Sequence, residues 1–108
     1  MKKHITSIFF LCLLSVSQLI AQSHSIKRLG IEQGLSNNYV ISIAQDKQGF
    51  LWFATEEGLN KFDGTRFSIY RHNATDSTSL KNNYVRTLFE DSRGNFWIGC
   101  INGLQRYD

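Results

Sequence analysis

The sequence predicts an all-β chain of about two antiparallel four-stranded units, the second without its outer strand. Two observations carry this expectation. One stretch of the chain repeats itself at an offset of 45 residues, and each copy divides into short apolar runs separated by turn-forming residues.

The repeat is the stronger of the two. Leu35-Ser-Asn-Asn-Tyr-Val40 returns as Leu80-Lys-Asn-Asn-Tyr-Val85, and Asp46-Lys-Gln-Gly-Phe-Leu-Trp52 returns as Asp91-Ser-Arg-Gly-Asn-Phe-Trp97. Gly58-Leu-Asn-Lys-Phe-Asp63 returns as Gly103-Leu-Gln-Arg-Tyr-Asp108. All three matches share one gapless offset, and 11 of the 29 paired positions are identical. Self-similarity at such a period marks an array of like structural units.

Within the first copy the elements follow in order. Tyr39 to Gln45 is rich in β-branched residues and alternates in part, as a strand does. Asp46-Lys-Gln-Gly49 is a turn, its glycine free to take positive φ. Phe50 to Ala54 is almost continuously apolar, the pattern of a strand covered on both faces. Glu56-Glu-Gly58 turns the chain again, and Leu59 to Phe62 alternates. Asp63-Gly64 is a strong hairpin signal and predicts a type I′ turn. Thr65 to Tyr70 then supplies a fourth strand, and the polar run from His72 to Ser79 crosses to the second unit. Four strands in about 45 residues is the size of a propeller blade. The expected fold is therefore an incomplete β-propeller, with one blade over 35–79 and a second, truncated blade over 80–108.

Residues 1–21 have the layout of a secretory signal peptide: Lys2, Lys3 and His4, then an apolar run from Ile8 to Leu14, then Ala21 for cleavage. The run falls short of the ~20 apolar residues that span a bilayer. Cys12 lies inside this run after Leu11, which argues against a lipoprotein. Its loss would leave Cys100 alone, so no internal disulfide is expected, and Cys100 reads as a small buried strand residue. Between the signal and the first blade, 22–34 form a lead-in. There Ser25-Ile-Lys-Arg28 resembles Ser68-Ile-Tyr-Arg71 of the fourth strand, which suits an outer strand closing the last blade of a ring.

Composition narrows the function classes. The formal charge is +3, but without Lys2 and Lys3 only ten basic side chains face nine acidic ones. No basic run survives, so nucleic acid is not an expected partner.

Trp52 and Trp97 could form a sugar-stacking platform, yet identical repeat positions inside apolar runs mark them as core. Tyr39 and Tyr84 stand at the start of the first strand of each blade, near an edge where ligands meet propellers. Asp46 and Asp91 each supply one carboxylate to an Asp-x-x-Gly turn, too few for a calcium loop, and are expected to accept backbone N–H groups. Glu56-Glu57 has no counterpart at Ile101-Asn102, so a paired-carboxylate site has nothing to build on. Asn73-Ala-Thr75 matches a glycosylation acceptor, a short pattern of little weight. No Cys/His metal spacing, nucleophile elbow or phosphate-binding glycine loop occurs in the sequence. No catalytic, cofactor or metal residues are expected, and ligand residues cannot be named.

The pattern Asn-Asn-Tyr-Val, Asp-x-x-Gly-x-x-Trp, Gly-Leu-x-x-(Phe/Tyr)-Asp resembles the two-component regulator propeller repeat over 26–108. Leu29-Gly-Ile-Glu-Gln-Gly-Leu-Ser-Asn-Asn38 is similar to the start of the first blade in such sensors. The resemblance implies the N-terminal periplasmic sensor region of a hybrid two-component histidine kinase. Its full-length form would bind an oligosaccharide, pair as a homodimer, and meet the membrane through C-terminal segments absent here. Kinase activity would belong to those segments, and this chain would be non-catalytic.

Two other readings remain open. A stand-alone exported module could self-assemble into rings. A sialidase-like glycosidase is disfavoured, because its repeats place Asp two residues before Gly, whereas here Asp46 and Gly49 stand three apart. Since the second copy stops at Tyr107-Asp108, the reading frame is expected to continue with Gly and further repeats. A fragment of two blades is expected to be weakly structured, or to aggregate or self-assemble.

Overall fold

Two antiparallel sheets make up the structure, a computed structural model that describes residues 24–108. The expected signal peptide lies outside the described residues. The first sheet has β1 (Val40–Gln45), β2 (Leu51–Thr55), β3 (Gly58–Phe62) and β4 (Phe67–Tyr70) in that spatial order. The second has β5 (Val85–Glu90), β6 (Phe96–Cys100) and β7 (Gly103–Tyr107). Both blades stand where the repeat puts them, and the second has three strands.

Strand boundaries follow from where the backbone donors are used. Tyr39 N–H donates to Asn37 Oδ1, so β1 begins one residue late, at Val40. Phe50 N–H donates to Asp46 Oδ1, which holds Phe50 in the turn and starts β2 at Leu51. The hairpin between β3 and β4 departs from the expected type I′ turn. No non-glycine residue takes positive φ among the described residues, whereas that turn needs it at Asp63. Instead Phe62 pairs with Phe67 across a four-residue loop. The Asp63 carboxylate accepts from Thr65 N–H at 2.8 Å and Arg66 N–H at 2.7 Å, fixing the loop and moving the start of β4 to Phe67.

Both inner strands carry an irregularity at the same place, between Val40 and Ser42 and between Val85 and Thr87. The extra residue is Ile41 in one and Arg86 in the other. A bulge shifts the alternation by one. Val85 and Leu88, three apart in sequence, therefore share a face with Ile98 and Phe96.

That face is laid on blade 1. Trp52, Ala54 and Leu59 from blade 1 and Val85, Leu88, Phe96 and Ile98 from blade 2 form one buried cluster, with Leu80 beneath it. Trp52 is 1% exposed, its ring 4.7 Å from Phe96 and 4.9 Å, edge-on, from Tyr107. Burial at this scale is the main source of stability available to two small sheets.

Trp97 does not share that environment. It holds the register of Trp52, opposite Phe89 and Arg106, but is only half-buried. The expectation of equivalent burial is corrected here. The reason is positional: Phe89, at the place of Ala44, and Leu104, at the place of Leu59, are 62% and 66% exposed on the same open face.

The lead-in is equally distinct. Residues 24–29 belong to no strand, and Ile26 is fully exposed. A single 3-10 turn (Ile31–Gln33) follows, closed by Gln33 Oε1 accepting from Gly30 N–H at 2.7 Å.

Candidate functional site

The Asp-x-x-Gly-x-x-Trp segment folds into the same latch in each blade. Asp46 Oδ1 accepts from Gln48 and Phe50 N–H, both at 3.0 Å, while Oδ2 accepts from Trp52 Nε1 at 2.8 Å. In blade 2, Asp91 Oδ1 accepts from Arg93 and Asn95 N–H at 2.9 Å, and Oδ2 from Trp97 Nε1 at 3.0 Å. One carboxylate thus closes the turn with one oxygen and orients the indole with the other. The sequence showed the turn role but not the indole bond. The signal for it was present, since Asp and Trp recur six residues apart in both copies.

Gly49 and Gly94 complete these turns with φ of 94° and 86°, a region that strains other residues. The Asp91 carboxyl is held down to about 2, chiefly by the Trp97 bond, with Asn95 and the turn N–H groups adding to it.

Both Asn residues of the Leu-x-Asn-Asn-Tyr-Val segment have assigned work. Asn37 and Asn82 accept from the N–H groups of Tyr39 and Tyr84, a local turn that presents the tyrosines. Asn38 Oδ1 accepts from Ile31 N–H at 2.9 Å, and Asn83 Oδ1 from His72 N–H at 2.6 Å, each holding the segment that leads into its blade.

A buried polar knot lies beneath blade 1. Asn60, fully buried, accepts from Ser36 N–H at 2.9 Å and donates to Ser36 Oγ at 2.8 Å and Phe53 O at 3.2 Å. Ser36 Oγ and Thr55 Oγ1 lie 2.7 Å apart. Blade 2 keeps only the outline: Gln105 Oε1 accepts from Lys81 N–H at 2.5 Å, and Cys100 replaces Thr55. Cys100 Sγ faces Asn82 O at 3.4 Å, half-buried rather than fully so, and burial pushes its thiol up, away from the reactive thiolate.

Of the residues weighed for ligand contact, Trp52 is committed to the blade interface. Tyr39 is 67% exposed and Tyr84 half-buried, at equivalent places beside the inner strands. Glu56 and Glu57 project at an exposed turn. Among the described residues no cluster of His, Cys, Asp and Glu could hold a metal ion. Asn73 of the glycosylation pattern accepts from Thr75 within its own turn. An open cleft of about 820 Å³ runs between β4 with the crossing loop and β7, lined by Ile69, Tyr70, Arg71, Gln105, Arg106 and Tyr107 among others.

Comparison with known families shows what the two blades resemble. The family described as Two component regulator propeller matches residues 34–57 and 79–102, one match in each blade. Each blade thus resembles a two component regulator propeller repeat. The chain is 62% identical over 47 residues to Histidine kinase P4 of Formosa agariphila, a match covering 44% of this chain and 3% of that protein. It superposes with a TM-score of 0.69 on the extracellular domain assigned to a hybrid two component system of B. thetaiotaomicron, at 55% identity over 75% of this chain and 12% of that one. The extracellular domain assigned to a one component system of the same organism gives a TM-score of 0.63, at 29% identity over 82% and 13%. The chain therefore spans a small part of each relative.

In both propeller repeats the matched span opens just before the Asn-Asn pair and closes after the Trp-bearing strand. It thus takes in the Asp–Trp latch whole. The segments that define the repeat are those that set the turns and the blade-to-blade contact.

Proposed function

We propose that this chain is the opening part of a periplasmic, glycan-sensing propeller of a hybrid two-component receptor, non-catalytic by itself. The observation that carries the reading is the 55% identity, across both blades, to an extracellular domain assigned to such a system. The signal-like residues 1–21 and the match to a histidine kinase agree with export and signalling. Ligand capture falls to the loops around the inner strands, where Tyr39 offers an exposed aromatic face suited to stacking on a sugar ring. Dimer formation and the kinase belong to the longer receptor. The test is a glycan array probed with the purified exported chain, alongside a Tyr39→Ala variant. Binding of one oligosaccharide class, weakened at least tenfold by the substitution, is expected. A chain that binds no glycan, or that releases products from one, would overturn the reading.

A further inference from the structure

We propose that Asn102 is a site of spontaneous modification, at which the side-chain amide is lost through a cyclic imide formed with Gly103. Asparagine precedes glycine once in the sequence, at Asn102-Gly103. A glycine has no Cβ to hinder the approach of its nitrogen to the preceding side-chain carbonyl carbon. The pair stands at the turn between β6 and β7, where Asn102 is exposed and Ile101 beside it is 55% exposed. Asparagine is among the thermally labile side chains, and this is the setting that leaves it open to attack.

The other asparagines are tied. Asn37, Asn38, Asn82 and Asn83 each accept from a backbone N–H group. Asn73 accepts from Thr75, Asn60 lies in the buried knot, and Asn95 donates to Asp91 Oδ2 at 3.0 Å, whereas Asn102 has no side-chain partner among the described residues. Asp63-Gly64 has the atoms to close the same ring, but Thr65 and Arg66 N–H groups hold the Asp63 carboxylate and keep it ionised. An ionised carboxylate is a poor electrophile. One repeat earlier, Glu56 and Glu57 stay exposed although β4 and blade 2 cover their sheet. The exposure of Asn102 therefore comes from its turn and not from its place in the array.

In the reaction the Gly103 nitrogen gives up its proton and bonds to Asn102 Cγ, and the Cγ–Nδ2 bond breaks to release ammonia. Water then adds to either ring carbonyl. Addition at Cγ breaks the new bond and leaves aspartate, an acid where blade 1 carries Glu57. Addition at the backbone carbon breaks the original peptide bond and leaves isoaspartate, with one more carbon in the main chain. The Cys100–Gly103 pairing has no room for that carbon, so the end of the β6–β7 hairpin opens. Ring closure itself needs a local opening, which exposed turns undergo more readily than a core. Ile101 N–H donates to Tyr84 O at 3.3 Å, so the new charge appears beside one of the two tyrosines weighed for ligand contact.

Peptide mapping by mass spectrometry tests the assignment on the exported chain, before and after incubation in warm, mildly alkaline buffer that leaves its β-sheet circular dichroism intact. Asn102 should convert at least tenfold faster than any other asparagine, to aspartate and isoaspartate together. An isoaspartyl methyltransferase used as a probe should label the peptide that holds Asn102. The same incubation in concentrated urea gives the rate without the fold, and the folded chain should convert Asn102 within tenfold of it. Asn102→Glu, which copies Glu57, should remove the mass change of the intact chain. Three results would each overturn the proposal. They are an Asn102 that keeps its amide in the folded chain but loses it in urea, another asparagine converting as fast, and a mass change that survives Asn102→Glu.

Discussion

The Trp97 indole nitrogen donates to Asp91 Oδ2 at 3.0 Å, a bond between a strand and the turn that precedes it. That bond is the largest cause holding the Asp91 carboxyl down to about 2 from an ordinary 3.8. A depressed carboxyl stabilises the fold fully above its unfolded pKa and loses that contribution as pH falls through the folded one. Urea midpoints should therefore drop between about pH 4 and pH 2, and Asp91→Asn should flatten the dependence in that window. An unchanged acid limb in the variant would show that Asp91 is not the group responsible.

Alkaline pH tests a second pair. The Tyr70 and Tyr107 hydroxyls lie 3.3 Å apart, and burial followed by this contact pushes Tyr70 up to about 12. A raised folded pKa contributes stability below the unfolded value and loses it as pH rises through the folded one. Stability should fall between about pH 10 and pH 12, and Tyr107→Phe should narrow the gap in a spectrophotometric titration of tyrosinate.

The two tryptophans should differ in what their removal costs. Trp52→Ala empties the centre of the blade interface and should destabilise by about 3–5 kcal/mol. Trp97→Ala, on a half-exposed face, should cost clearly less. Chemical denaturation of both variants, read by circular dichroism, compares them directly. Equal losses would mean that Trp97 is buried in solution by another surface.

Asn60→Leu should reveal the polar knot. The substitution strands Ser36 N–H inside the fold and leaves Ser36 Oγ only its contact with Thr55 Oγ1, and an orphaned buried group costs about 1–3 kcal/mol. Asn60→Gln, which keeps both functions as Gln105 does in blade 2, should recover part of the loss. Thermal melts of the two variants provide the comparison.

Most of the architecture could be read from residues alone because it is written twice. The offset of 45 located the blades, and alternation located the strands to within two residues. What escaped the sequence came from contacts that propensity does not encode. Asp63-Gly64 looks like a type I′ turn until the Asp63 carboxylate is seen to accept from Thr65 and Arg66 N–H. Asp46 and Asp91 announced their turns, but their indole bonds depend on where β2 and β6 aim Trp52 and Trp97. Unequal burial of the two tryptophans was invisible for another reason. Identical repeat positions have different neighbours at the two ends of an array. For ligand contact, the sequence offered no more than an expectation for Tyr39 and Tyr84, since what recurs between the two copies is framework.

The asymmetry between Trp52 and Trp97 also gives each blade its own optical reporter. Trp52 lies within 6.0 Å of Tyr70 and closer still to Phe96 and Tyr107, two rings of the other blade. With Trp97→Phe, the remaining emission would shift to the red when the blades part, even if each sheet stayed intact. With Trp52→Phe, the emission of Trp97 would report solvent at the open face of blade 2. It would move to the blue only when some further surface closed over it.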